Sequence, residues 1–226
     1  MKKAEALGIT ICRAEGANAE GVAELAFGLI LSAARGLHAA ESALKDGGWT
    51  RSKGRELEGK TLGLVGCGRI GKLVAQFALA FGMDVLAHDA FPDLGFRPSG
   101  RFAFAPLDRL LHAADYLSLH CPPLPGGSPL LDGPALARVK PGVVLVNSAR
   151  ESLVDRAALL AALDAGTVSV YAIAAFDQEP PEDWSLIRHP RVLATPHIGG
   201  FTAESIDRAT AVAVDNLLAH LPGTKR

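Results

Sequence analysis

Three glycines in Gly66-Cys67-Gly68-Arg69-Ile70-Gly71 stand at G-x-G-x-x-G spacing, and an acid, Asp89, follows eighteen residues after the last of them. Glycine-rich turns are common, so the spacing alone is weak. Its context makes it specific. A short apolar run, LGLVG, precedes the loop, a helical pattern follows it, and Asp89 closes the next apolar run. The chemistry this permits is capture of a dinucleotide. Gly66 allows a tight turn, Gly68 lets the backbone approach a pyrophosphate, and Gly71 lets the helix pack close to the sheet. The amides of Arg69 and Ile70 then face the phosphates from the helix N-terminus. Asp89 accepts from both hydroxyls of a ribose and repels a 2′-phosphate. Ala90, Phe91 and Pro92 follow it without a Lys or Arg, so NAD is expected over NADP.

These residues need a scaffold, and the hydrophobic rhythm supplies one. Residues 9–12 alternate weakly and predict a short strand. A helix is predicted from Asn18, as N-cap, to Gly36, with Val22, Leu25, Ala26, Leu29, Ile30 and Ala33 on one face. Phe27 and Leu31 lie off that stripe, so a second face is apolar, buried either inside the same domain or at a subunit interface. A second helical piece runs from His38 to Asp46. From residue 60 strands and helices alternate. Strands are predicted at 62–66, 83–89, 102–104, 116–120, 143–147, 168–176 and 191–197. Helices are predicted at 69–81, 107–113, 135–139, 157–166 and 202–221, with loops at 90–106 and 122–134. Strands alternating with helices imply right-handed crossovers and an α/β fold, a doubly wound parallel sheet of the Rossmann type.

Composition narrows the class. The chain has 226 residues, 49% of them hydrophobic, enough for a sizeable core and too apolar for disorder. Its 23 basic and 24 acidic side chains leave no basic excess for a nucleic-acid partner. Cys12, Cys67 and Cys121 have neither metal-ligand spacing nor an even count, and read as free thiols in a reducing compartment. No metal site is expected. The start, MKKAEALGIT, lacks the apolar core of a signal peptide, and the longest apolar run, 27–34, is far short of the ~20 residues that span a bilayer. A soluble, cytoplasmic protein without a membrane partner is expected.

With the loop placed, longer stretches become recognisable: GANAEGVAELAFGLILSAAR (16–35), ELEGKTLGLVGCGRIG (56–71), LHCPPLP (119–125), VKPGVVLVNSAR (139–150), QEPPE (178–182) and TPHIGGFT (195–202). The chain resembles the D-isomer-specific 2-hydroxyacid dehydrogenases, close to the D-3-phosphoglycerate dehydrogenase and glyoxylate/hydroxypyruvate reductase branch. The resemblance implies reversible hydride transfer between NAD(H) and a 2-hydroxy or 2-oxo acid. It implies three catalytic residues. Arg150 matches the arginine that clamps the substrate carboxylate and carbonyl, His197 the acid/base, and Glu179 the carboxylate paired with that histidine. General chemistry agrees: a guanidinium fork binds a carboxylate bidentately, and a histidine shuttles protons near neutral pH. The resemblance also implies cofactor contacts at His120, Cys121, Pro122, Ser128, Ser148, Ala149, Arg150, Ala174, His197, Gly199 and Gly200, beside Gly66, Gly68, Arg69, Ile70, Gly71 and Asp89. His120 is expected to contribute its backbone on the adenosine side, and Ser128 to stand near a family threonine beside the phosphates.

Three departures from the family pattern carry consequences. The family's separate substrate domain, roughly a hundred residues, is expected to be largely absent. Residues 1–17 read as a remnant of its junction and 18–226 as the NAD-binding domain, with a helix arm at 18–50 and a closing helix at 202–221. Ala174 stands where the family has an aspartate that holds the nicotinamide carboxamide. Asp177, beyond Phe176, is not assumed to replace it. Glu151 stands where the family has glycine, adding a negative charge beside the substrate clamp. A homodimer through 18–50 is expected. The alternative to an enzyme is a non-catalytic NAD-binding sensor or dimerisation module.

Overall fold

Seven apolar runs pair side by side into one sheet in a computed structural model that describes residues 2–220. Before the sheet come α1 (Lys2–Ala6), α2 (Ala19–Arg35) and α3 (Leu37–Lys45). The sheet and its helices follow in the order β1 (Thr61–Val65), α4 (Arg69–Ala80), β2 (Asp84–His88), β3 (Phe102–Phe104), α5 (Leu107–Ala113), β4 (Tyr116–Leu119), α6 (Gly133–Leu136), β5 (Val143–Asn147), α7 (Arg156–Asp164), β6 (Val168–Ile173), β7 (Val192–Ala194) and α8 (Ala203–His220). The strand order is β3-β2-β1-β4-β5-β6-β7, and every pairing is parallel. The order reverses between β1 and β4, where doubly wound sheets open a crevice at the strands' carboxyl ends.

Side-chain alternation explains why the strands read as continuous apolar runs. Leu62, Leu64, Val144, Val146 and Ala172 face a core shared with α2 and α4. Val65, Leu117, Leu119, Leu145, Tyr171 and Ile173 face the opposite core, under α5, α6 and α7. Both faces are covered, so neither can be polar. Gly63 is required by packing: a Cβ there would come within 2.6 Å of Leu110 Cδ2 and 2.9 Å of the Ala114 Cβ.

Several sequence expectations need correction. Residues 9–12 form no strand, because Ile9 and Ile11 find no sheet edge and stay exposed. The short α1 has no counterpart in the sequence reading. α2 begins where Asn18 predicts, but the Asn18 side chain makes no capping bond. It lies instead against Gly200. The helix ends at Gly36, whose φ of 61° is left-handed. Phe27 is buried within its own domain, with ring centroids 5.9 Å from Phe77 and 4.9 Å from Phe81, and Leu31 packs on the same core. The second apolar face of α2 is thus an intradomain face at Phe27. α6 starts earlier than 135, because Asp132 accepts from the Ala135 amide and Pro134 suits a first turn. β6 stops at Ile173, short of the expected 176. Residue 221, the expected end of the closing helix, lies outside the described residues. No single helix among the described residues is long and apolar enough to cross a membrane.

Candidate active site

The turn after β1 is built by its glycines. Gly66 has φ of 92°, and a Cβ there would lie 2.6 Å from His120 C and O. A Cβ on Gly71 would collide with Gly66 O, so both positions demand glycine. Gly68 differs: a Cβ there meets nothing within 4 Å. The backbone at Gly68 therefore borders open space at the N-terminus of α4, where its amides are directed. Arg69 turns its guanidinium away, 3.5 Å from Glu15.

Asp89, just past β2, does more than its position predicts. Its Oδ2 accepts from the Cys67 amide at 2.7 Å and its Oδ1 from the Phe91 amide at 2.8 Å. The carboxylate therefore ties the glycine turn to the second strand, with lone pairs left for further donors. Beside it lies a cavity of about 300 Å³ lined by Gly66, Gly68, Asp89, His120, Pro122 and Leu130, among others, with no Lys or Arg. Burial and the nearby Asp89 push the Cys67 thiol up to about 11, so it stays protonated.

A second cavity of about 340 Å³ adjoins the first, since His120, Cys121 and Pro122 line both. Asn18, Ile70, Ser148, Ala149, Arg150 and His197 are among its other walls. Together the two form a trough over the crevice between β1 and β4. His120 is set in its floor, Nε2 2.9 Å from Ser118 Oγ and Nδ1 3.4 Å from Ser148 Oγ. Burial pushes its imidazole down to about 4, which keeps the ring neutral at ordinary pH.

Three loops bring the expected trio together. Arg150 follows β5 and is held by Asn147, a fully buried residue whose Nδ2 donates to Arg150 O at 2.8 Å and to Tyr171 Oη at 3.1 Å. Asn147 Oδ1 accepts from the Ala149 and Arg150 amides. His197 follows β7, with Nδ1 3.0 Å from Glu179 Oε1 and 3.1 Å from Oε2. Glu179 Oε1 also accepts from the Phe176 amide at 3.0 Å. The Phe176 amide foremost, with His197 and Arg150, holds the Glu179 carboxyl below its ordinary range although desolvation pushes it the other way.

Other expected residues lie elsewhere. Ser128 is exposed after a 3-10 turn at Pro125–Gly127 and lines neither cavity. Gly199 and Gly200 pack the His197 loop onto α2: a Cβ on Gly199 would meet Val22, and a Cβ on Gly21 would lie 2.8 Å from Gly199 O. Ala174 is buried in the core, donates its amide to Asn147 O, and lines neither cavity. Asp177 accepts from Ser152 Oγ at 3.1 Å and lines neither cavity. The sequence reading missed Asn147, Gly21, Ser118 and the side chain of Asn18. Asn147 is the one with a signal, an amide ending an otherwise apolar strand.

Comparison with known proteins matches this arrangement to one family. The model of the D-isomer specific 2-hydroxyacid dehydrogenase NAD-binding domain matches residues 27–199. The chain belongs to that family. It is 40% identical to D-3-phosphoglycerate dehydrogenase of Mycobacterium tuberculosis over 97% of this chain, and 39% identical to hydroxypyruvate reductase of Thermotoga maritima over 98%. It spans 42% of the first relative's length and 73% of the second's. Among solved structures, D-lactate dehydrogenase from Aquifex aeolicus complexed with NAD and lactic acid superposes with a TM-score of 0.84 at 29% identity, covering 96% of this chain and 72% of that one. A glyoxylate reductase from Paecilomyes thermophila superposes with a TM-score of 0.88 at 30% identity, over 99% of this chain and 69% of that one. The NAD-binding domain fits its cofactor on its own geometry. The open space at Gly68, the two-armed Asp89 and a cavity free of cations suit a pyrophosphate and an unphosphorylated ribose.

Proposed function

We propose that this chain is the cofactor-binding half of a dehydrogenase that interconverts a 2-hydroxy acid and its 2-oxo acid. The observation that carries the reading is one cavity holding Arg150 and His197, continuous with the Asp89 cavity, with Glu179 on the far nitrogen of His197. NAD, when bound, supplies the hydride acceptor for oxidation and the donor for reduction. Arg150 binds the substrate carboxylate through its fork. On oxidation His197 takes the hydroxyl proton at Nε2 as hydride leaves C2. On reduction it returns that proton to the carbonyl oxygen. Glu179 holds the Nδ1 proton, fixes the ring and balances the imidazolium charge. The open backbone at Gly68 and the Arg69 and Ile70 amides take the pyrophosphate, in a turn shaped by Gly66 and Gly71, and Asp89 takes the adenosine ribose. His120, Cys121, Pro122, Ser148 and Ala149 floor the trough.

Arg150 and His197 are both exposed, so turnover needs a second wall that positions substrate and excludes water, and this proposal assigns that wall to a separate substrate domain. The second reading, an NAD-binding module without turnover, is favoured by Ala174, which offers the carboxamide no side-chain acceptor. One experiment separates them: NADH and NADPH titration, followed by turnover on a panel of 2-oxo acids with a substrate domain fused on. The enzyme reading expects NADH to bind more tightly, turnover to appear, and His197→Ala to abolish it with NADH binding nearly intact. Ala174→Asp should then raise the rate. Tight NADH binding with no turnover on any acid selects the module.

The proposal includes a homodimer through 18–50. Leu37, Leu44 and Trp49 are exposed there, and they replace Phe27 as the contact candidates. Light scattering should report a dimer that Leu44→Glu with Trp49→Ser splits. The free thiols of Cys12, Cys67 and Cys121 support placing the protein in the reducing cytoplasm.

A further inference from the structure

Arg150 lies past the end of β5 and Glu179 past the end of β6, so two separate loops carry parts of the site. Two cross-ties join those loops. Ser152 donates its hydroxyl to Asp177 Oδ1 at 3.1 Å, linking a residue near Arg150 to one near Glu179. Arg156 makes the second tie. Its Nη1 lies 3.3 Å from Glu151 Oε1, and its Nη2 lies 2.7 Å from Asp183 Oδ2 and 3.0 Å from Ser185 Oγ. The ends of this tie are themselves held. Arg156 opens α7, whose N-cap Asp155 accepts from the Ala158 amide at 2.7 Å. Asp183 accepts from the Ser185 amide at 2.8 Å, which holds its carboxyl below the ordinary range. The side chains of Arg156 and Glu151 are only 35% and 21% exposed, so this pair is better sheltered than the surface pairs that contribute little. Asp183, by contrast, is 62% exposed and is held by its bonds to Arg156 and the Ser185 amide.

We propose that Arg156 is a positioning residue: its fork, anchored on Glu151 and Asp183, locks the Glu179 loop against the Arg150 loop and so sets where Glu179 meets His197. The inference rests on the catalytic reading of that trio, but its test does not. A fork is what the geometry needs, because one guanidinium reaches both carboxylates from two different nitrogens, and an ammonium is a single point of charge. The placement also accounts for Glu151. Its charge is directed to Arg156, which relieves the substrate clamp of a competing carboxylate. Removing Arg156 leaves Glu151 and Asp183 as like charges across the gap, and of the two side-chain cross-ties the Ser152–Asp177 hydrogen bond remains.

The test reads the imidazole nitrogens of His197 in the full chain by long-range proton–nitrogen correlation, which distinguishes ring tautomers. Wild type should show one tautomer with the Nδ1 proton toward Glu179. Arg156→Ala should move both nitrogens toward the averaged shifts of a free imidazole, Arg156→Lys should recover part of the change, and Glu151→Gly should give a smaller shift. NADH affinity should stay within about twofold, since Arg156 lines neither cavity. Lys140→Ala is the control for general loosening, because that ion pair with Asp115 sits at the opposite end of the strands. Unmoved His197 nitrogens in folded Arg156→Ala overturn the proposal, as does an equal shift in Lys140→Ala. If His197 shifts as expected while no 2-oxo acid turns over even with a substrate domain fused on, the positioning role stands and the catalytic reading falls.

Discussion

Asp89 shows how much one side chain can do beyond what its spacing predicts. From the sequence it is a ribose acceptor; in the fold it also holds the glycine turn through the Cys67 amide. Asp89→Ala therefore removes two functions at once. With hydrogen bonds to charged groups contributing about 1.5–3 kcal/mol each, NADH affinity should fall at least about tenfold, and the preference over NADPH should narrow, as measured by fluorescence titration. Equal affinities in the wild type would refute the assignment. His120 gives a second prediction at this scale. An unfolded histidine titrates near about 6.5, and burial holds this one down to about 4. The folded state therefore favours the neutral ring, so the stability it contributes is fully present above about 6.5 and is lost as pH falls toward 4. Urea midpoints should decline across that window, and His120→Asn should flatten the decline. The trio is legible in the sequence because each member sits in a recognisable motif. Asn147 shows only as an amide ending an apolar strand, and Arg156 not at all, since their importance lies in partners reached only after folding.

Among elements, the strands are the most legible, while α2 is legible in its bounds but not in its partners. Short, mostly apolar runs predict β1, β4 and β5 nearly to the residue, because a strand covered on both faces carries apolar side chains in both directions. Periodicity says that α2 has two apolar faces but not what meets them. The answer at Phe27 is Phe77 on α4 and Phe81 at its C-terminal cap, contacts about fifty residues distant in the chain. Phe27→Ala should cost about 3–5 kcal/mol, the usual range for deleting a buried aromatic side chain. Chemical denaturation should show that loss without changing the subunit count. A variant that splits a dimer while keeping its stability would contradict the intradomain packing. The 9–12 segment fails for the complementary reason: alternation supplies a strand's pattern, but an edge to pair with comes only from topology.

At the scale of the whole molecule, the sheet's carboxyl edge gathers the chemistry while its two apolar cores hold the strands. α8 belongs to neither core. Only Ser205 of its eighteen residues is buried, and it is fastened near its start by Arg208 donating to Ala17 O and further along by Asn216 donating to Arg13 O. Most helical stability in proteins comes from tertiary packing of an apolar face, and α8, with one buried residue, borrows little of it from the rest of the chain. Opening should be graded accordingly. In a hydrogen-exchange experiment, the amides of the second half of α8 should exchange orders of magnitude before those of β1, β4 and β5, at a denaturant dependence too small for global unfolding. A brief protease digest should likewise nick this helix first and leave the strands intact. Uniform exchange across α8 and the sheet would mean that the molecule opens as one unit. A graded pattern instead makes the His197 loop the last ordered segment before a labile end, with its glycines pressed on α2 as the boundary between the two regimes.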